Sequence, residues 1–208
     1  MYYGERLNSI THLIGAVFAL IGLGALLTKG IDSGETRVVI SFSVFGFTLV
    51  LLYTMSTLYH SFGTPQLKRL FRKLDHVSIY LLIGGTYTPY MLVALADGNG
   101  PYMLAAVWIL AFIGISLDVL KKKRSYILQL IVYLLMGWVV TLEYSSLKET
   151  LPSQGIWWLT FGGIAYTGGA VFYILDNLNR LKHAHGIWHG FVLLGSTSHF
   201  ISIIGYLE

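Results

Sequence analysis

The stretch VVISFSVFGFTLVLLYTMSTLYH, residues 38–60, contains no charged residue and ends on a histidine. As a helix rising 1.5 Å per residue it covers roughly 34 Å, enough to cross ~30 Å of bilayer hydrocarbon. The same kind of block recurs along the chain. It predicts spans at about Ile10–Leu27, Val38–His60, Leu74–Leu95, Tyr102–Leu120, Ile127–Tyr144, Trp157–Leu175 and His185–Tyr206. The blocks are continuous and do not alternate in ten-residue segments, which favours helices over an outer-membrane barrel. Composition agrees: of 208 residues, 55% are apolar and only 12% charged, about half the share usual in a soluble domain. Disorder and coiled coils need more charge, and a disulfide-built module needs cysteine, of which there is none. The absence of cysteine also excludes thiolate metal sites and cysteine nucleophiles. Seven spans with short loops use almost the whole chain. Residues 1–208 are therefore read as one all-α, seven-helix integral membrane domain, multi-pass in the cell (inner or plasma) membrane.

The charges orient the bundle. Of the 14 Lys and Arg, Lys29, Arg37 and Lys148 alone fall in one set of alternate loops. Arg6, Lys68, Arg69, Arg72, Lys73, Lys121–Arg124, Arg180 and Lys182 occupy the other set. The positive-inside rule then puts the N-terminus in the cytoplasm and the C-terminus outside. Tyr102, Tyr126, Tyr144, Trp157, Trp158 and Tyr206 lie near span ends, as an interfacial aromatic belt requires. The stretch from Ile10 to Leu27 is too long for a signal-peptide core and runs into Thr28-Lys29-Gly30, so it is read as a retained span. Glycine pairs at 84–85, 162–163 and 168–169 suggest close helix contacts. The basic residues are split over short loops, so they form no single surface for nucleic acid.

Ionisable side chains inside spans are costly, on the order of 3 kcal/mol each, and usually face an interior site. Ser56, His60, Asp75, His185 and His189 stand out on that ground. His185-Gly-Ile-Trp-His189 puts two imidazoles one turn apart on one helix face. That spacing suits one tetrahedral zinc ion, and equally a capping or headgroup-binding pair at a helix start. The charge-based topology brings His60, Asp75, His185 and His189 to one depth at the cytoplasmic side. Three histidines would leave one zinc position open, the arrangement of a catalytic site. Asp75 would then be either a fourth ligand or the base that guides the metal-bound water. Ser56, one turn before His60, either bonds the water or substrate or bonds its own helix backbone.

Ser56-Thr-Leu-Tyr-His60, Asp75-His-Val-Ser-Ile-Tyr80 with Gly85-Thr-Tyr-Thr-Pro89, and His185-Gly-Ile-Trp-His189 together resemble the haemolysin III family. That family belongs with the progestin and adipoQ receptors and, more distantly, the alkaline ceramidases. The likeness runs from Glu5-Arg6-Leu7-Asn8-Ser9-Ile10-Thr11-His12 to the last span. It implies a seven-helix bundle with its N-terminus inside. It also implies zinc held by His60, His185 and His189, Asp75 on the zinc-bound water and Ser56 beside it. Lipid amide hydrolysis is the chemistry associated with the wider superfamily, and haemolysis or pore formation is implied by the family name.

Three functions therefore compete. The leading one is a zinc-dependent hydrolase of a lipid amide or ester, its substrate coming sideways from the bilayer. The others are a non-catalytic receptor or regulator of membrane state and a pore-forming haemolysin. Several further polar residues carry expectations. His12 is either a neighbour of the metal site or an interfacial histidine. His76 points away from Asp75, and His183 meets headgroups. His199 lines a cavity or bonds across helices. Asp118 is expected to pair with Lys121–Arg124, Asp176 either to pair with Arg180 or to face the site, and Glu143 to snorkel outward. The Lys121–Arg124 run itself reads as a topology determinant that also attracts anionic lipid.

Overall fold

The computed structural model describes residues 4–120 and 125–207. Among these residues there is no strand. Seven helices are long and apolar enough to cross a membrane: α1 Arg6–Asp32, α2 Thr36–Ser61, α3 Pro65–Ala94, α4 Gly100–Leu120, α5 Tyr126–Thr150, α6 Ser153–Asn177 and α7 Ala184–Tyr206. The expected Lys121–Arg124 topology run lies outside the described residues.

Chain neighbours pack on one another, and α1 also packs against α7, so the bundle closes into a ring. At the end away from the histidines, the Lys29 ammonium secures that closure. It donates to the carbonyls of Ile204 (2.8 Å) and Leu207 (2.9 Å) at the last turn of α7. A cation there also complements the negative end of the helix dipole. Side chains such as Phe18, Ile21, Phe47 and Ile113 face outward and are exposed, as expected where lipid is the solvent. The polar residues turn inward: Ser9, His12, Ser56, His60, Asp75 and His189 are all buried. Glycines allow the close approaches. A methyl at Gly85 would meet Thr48 Oγ1, and one at Gly162 would meet the His199 ring.

Two helices differ from expectation for identifiable reasons. The third begins at Pro65, well before Leu74. Its first turns are amphipathic: Leu67, Leu70 and Leu74 follow an i, i+3, i+7 spacing, while Arg69, Arg72 and Lys73 share a different face. Low hydropathy there marked a loop, but the residues form an interfacial helix. Near the other end, Pro89 lacks the N–H the ladder needs, and α3 finishes as a π-turn over Tyr90–Ala94. The fifth helix continues past Tyr144 through a tight 3-10 segment, Val139–Glu143. Glu143 does not simply snorkel. It accepts from Asn99 Nδ2 (3.0 Å) and Ser146 Oγ (2.7 Å), tying α5 to the segment before α4.

Candidate metal centre

The three histidines come from two helices far apart in sequence. His60 sits in the last turn of α2. His185 and His189 occupy the first two turns of α7, which opens after His183 in a left-handed conformation (φ 64°). The structure brings these three rings together at one end of the bundle. One nitrogen from each lies within 4.8 Å of the others, a cluster that can hold a metal ion. Ring centroids are 4.9 Å apart for His60–His185, 5.0 Å for His60–His189 and 4.7 Å for His185–His189.

The outward-facing nitrogens fix which atom of each ring is free. His60 Nδ1–H donates to Glu5 Oε2 at 2.5 Å, and His185 Nδ1–H donates to Asp176 Oδ2 at 2.8 Å. His189 Nδ1–H donates to the Asn8 carbonyl at 3.2 Å. Carboxylates and carbonyls only accept, so each neutral ring carries its proton on Nδ1 and presents a bare Nε2. His60 Nε2 and His185 Nε2 are 3.2 Å apart, and His189 Nε2 is buried without a hydrogen-bond partner. Two lone pairs at that separation repel unless a cation lies between them. Tetrahedral zinc with Zn–N near 2.0–2.1 Å spaces its nitrogens by about 3.3 Å. The donor set and its spacing therefore fit a zinc-type ion. Carboxylate and carbonyl partners behind ligating histidines are also what such sites ordinarily have.

Asp75, in α3, is buried but is not one of the residues in the converging group. Ser56, itself buried, lies beside the Asp75 carboxylate. Two cavities flank this carboxylate. An apolar chamber of about 150 Å³ runs into the bundle between Asp75, His12 and His199. A wider vestibule of about 640 Å³ opens at the basic end and also reaches Asp75 and His185. Asp75 and Trp188 line both.

These contacts decide several of the expectations. Of its two, Asp176 takes the second: it faces the site and supports His185 rather than pairing with Arg180. Asp118 accepts from the Tyr80 hydroxyl (3.1 Å) and from Gln129 Nε2, while its expected partners Lys121–Arg124 lie outside the described residues. His12 is no interfacial residue: it is buried and stacked face to face on His189, centroids 3.6 Å apart and planes 8° apart. His199 meets both of its expectations, donating Nε2–H to the Leu159 carbonyl (3.1 Å) while lining the chamber.

Sequence reasoning assigned no role to Glu5, Asn8 or Thr11. Thr11 Oγ1 lies 3.3 Å from His189 Nδ1. The signal was present: Glu5, Asn8, Ser9 and His12 follow an i, i+3, i+4, i+7 pattern at the edge of an apolar helix, which marks an inward polar face. Glu5 also takes Lys68 Nζ at 2.6 Å. Burial alone would raise the Glu5 carboxyl, but the His60 and Lys68 hydrogen bonds and charges outweigh it and hold the group down at about 2. Glu5 therefore stays ionised behind His60 across the physiological range. Asp176→Asn and Glu5→Gln should each weaken metal binding about 10- to 100-fold without abolishing it at saturation. Competition against a chromophoric chelator reads this directly, and unchanged affinity in both variants would remove the supporting role.

A family profile described as "Haemolysin-III related" matches residues 2–200. The chain is 38% identical over 203 residues to "Hemolysin-3" of Bacillus cereus, covering 98% of this chain and 91% of that protein. It is 38% identical over 202 residues to "Hemolysin-3 homolog" of Bacillus subtilis (strain 168), covering 97% and 93%. It is also 28% identical over 210 residues to the human "Monocyte to macrophage differentiation factor", covering 99% and 85%. A match that runs the length of α1 to α6 and into α7, at this identity and coverage, makes this multi-pass membrane protein a member of the haemolysin III-related family.

Proposed function

We propose that the chain is a zinc-dependent hydrolase acting on an amide or ester bond of an acylated membrane lipid. The observation that carries this reading is a set of three bare imidazole nitrogens, one of them on His185 in the wall of a polar vestibule, with the buried carboxylate of Asp75 where that vestibule meets an apolar chamber. A zinc ion held there supplies a Lewis acid for an acyl carbonyl and a means of ionising water near neutral pH.

The chain's own residues do the rest. The largely apolar chamber takes the part of the acyl chain nearest the scissile bond. Trp188 and Asp75, common to both cavities, flank the point where the acyl carbon sits. Asp75 accepts the proton from the attacking water and returns it to the leaving nitrogen or oxygen. Ser56, beside the carboxylate, sets which oxygen faces the reaction. Water adds across the scissile bond, giving a fatty acid and a free amine or alcohol. The basic end of the bundle, where the site lies, is the cytoplasmic end in this reading, with the C-terminus outside. The lipid reaches the site from the bilayer, and no nucleic acid is involved.

Fatty-acid release by the purified chain over a panel of N-acyl and O-acyl lipids tests the proposal. Release that stops on chelation and returns with zinc is expected. Release that ignores the chelator contradicts it. No release alongside a retained metal would favour a receptor or regulator in which the metal ties α2 to α7. The Bacillus cereus relative's name raises haemolysis as a further outcome. Ion conductance in liposomes containing the purified chain would favour that reading.

A further inference from the structure

The vestibule has chemistry that hydrolysis alone does not use. Arg69, Arg72 and Lys73 line it from α3. Their i, i+3, i+4 spacing puts all three on one helix face, away from the Leu67, Leu70 and Leu74 stripe. Cations placed only to orient a span have no need to share the face that meets a cavity. Asp75, Asp118 and Asp176 also line this cavity; Asp118 accepts from Tyr80 and Gln129 and Asp176 from His185, so neither is paired with one of the three cations. Among the described residues, Arg69, Arg72 and Lys73 form no ion pair. The cavity meets the apolar chamber at Asp75 and Trp188. An amphiphile with its chain in the chamber therefore leaves its headgroup among these three cations.

We propose that the vestibule is a headgroup site that selects phospholipids whose headgroup is net anionic, a phosphate with no cationic group beside it. Two guanidiniums can grip phosphate oxygens in paired hydrogen bonds, and the lysine adds a point charge. The proposal rests on the hydrolase reading only in taking the lipid to be a substrate. Headgroup selection is a binding property and is measured without turnover.

The test uses the full purified chain in maltoside micelles with pyrene-labelled phosphatidylglycerol and phosphatidylcholine, read by tryptophan-to-pyrene energy transfer. Wild type should bind phosphatidylglycerol about tenfold or more tightly than phosphatidylcholine. Arg69→Gln/Arg72→Gln/Lys73→Gln should bring the two within about twofold, while its metal content matches wild type. Should that variant fail to fold, Arg72→Gln alone should lose part of the preference and Arg72→Lys less of it. Arg180→Gln/Lys182→Gln removes cations from the same end but outside the vestibule, and should keep the preference. The proposal is overturned by a wild type without preference, by equal losses in the vestibule and Arg180/Lys182 variants, or by inorganic phosphate binding as tightly as the lipid. A chain that prefers phosphatidylglycerol but hydrolyses nothing removes the hydrolase reading and leaves this site standing. A working hydrolase indifferent to headgroup does the reverse.

Discussion

His185→Ala/His189→Ala is expected to abolish metal binding. The wild-type chain, purified without chelators, is expected to carry about one zinc ion, and the double variant less than about a tenth of one. The reason is local. Both imidazoles come from the first two turns of α7 and contribute two of the three bare nitrogens. One ring from α2 cannot hold the ion alone. The effect should extend to stability, because a metal shared by α2 and α7 links helices far apart in sequence and its binding energy is also folding energy. Wild type should therefore lose thermal stability on chelation, while the double variant should be indifferent to it. Metal analysis and melting in detergent with and without chelator measure both. Equal zinc in the two proteins would mean that the ion, if present, sits elsewhere.

Asp75→Asn is expected to leave the metal content unchanged and to lower fatty-acid release by about 100-fold or more. Asparagine has nearly the same shape, so burial and packing are preserved. The amide cannot take up a proton. The separation of the two readouts matters, because Asp75 stands outside the three-ring group. Loss of zinc together with loss of activity would make Asp75 a ligand and would recast the centre as a closed structural site. Retained activity would remove Asp75 from the chemistry.

Much of the architecture was legible because lipid imposes simple rules. Long apolar blocks have to be helices, and their number and approximate bounds could be read from hydropathy alone. The shared depth of His60, Asp75 and the two α7 histidines was legible too, since it follows from where Lys and Arg fall. What was not legible is rotation about each helix axis and which helices touch. Asp176 illustrates this: four residues from Arg180, it reads either as that residue's partner or as a residue facing the site, and only the packing of α6 on α7 settles it on His185. His12 is similar, because its stack on His189 exists only through the α1–α7 closure of the ring. The early start of α3 was hidden by its charges, which lower mean hydropathy although their spacing is helical. Glu5 escaped notice because a carboxylate just outside a span looks solvated until its histidine and lysine partners are in place.

The central claim is that the Nε2 atoms of His60, His185 and His189 share one divalent cation. X-ray absorption at the zinc edge of the purified chain tests it most directly. Three imidazole nitrogens near 2.0 Å and one oxygen scatterer are expected, falling to two or fewer imidazoles in His60→Ala. A zinc shell dominated by oxygen, or one that is identical in wild type and His60→Ala, would contradict it.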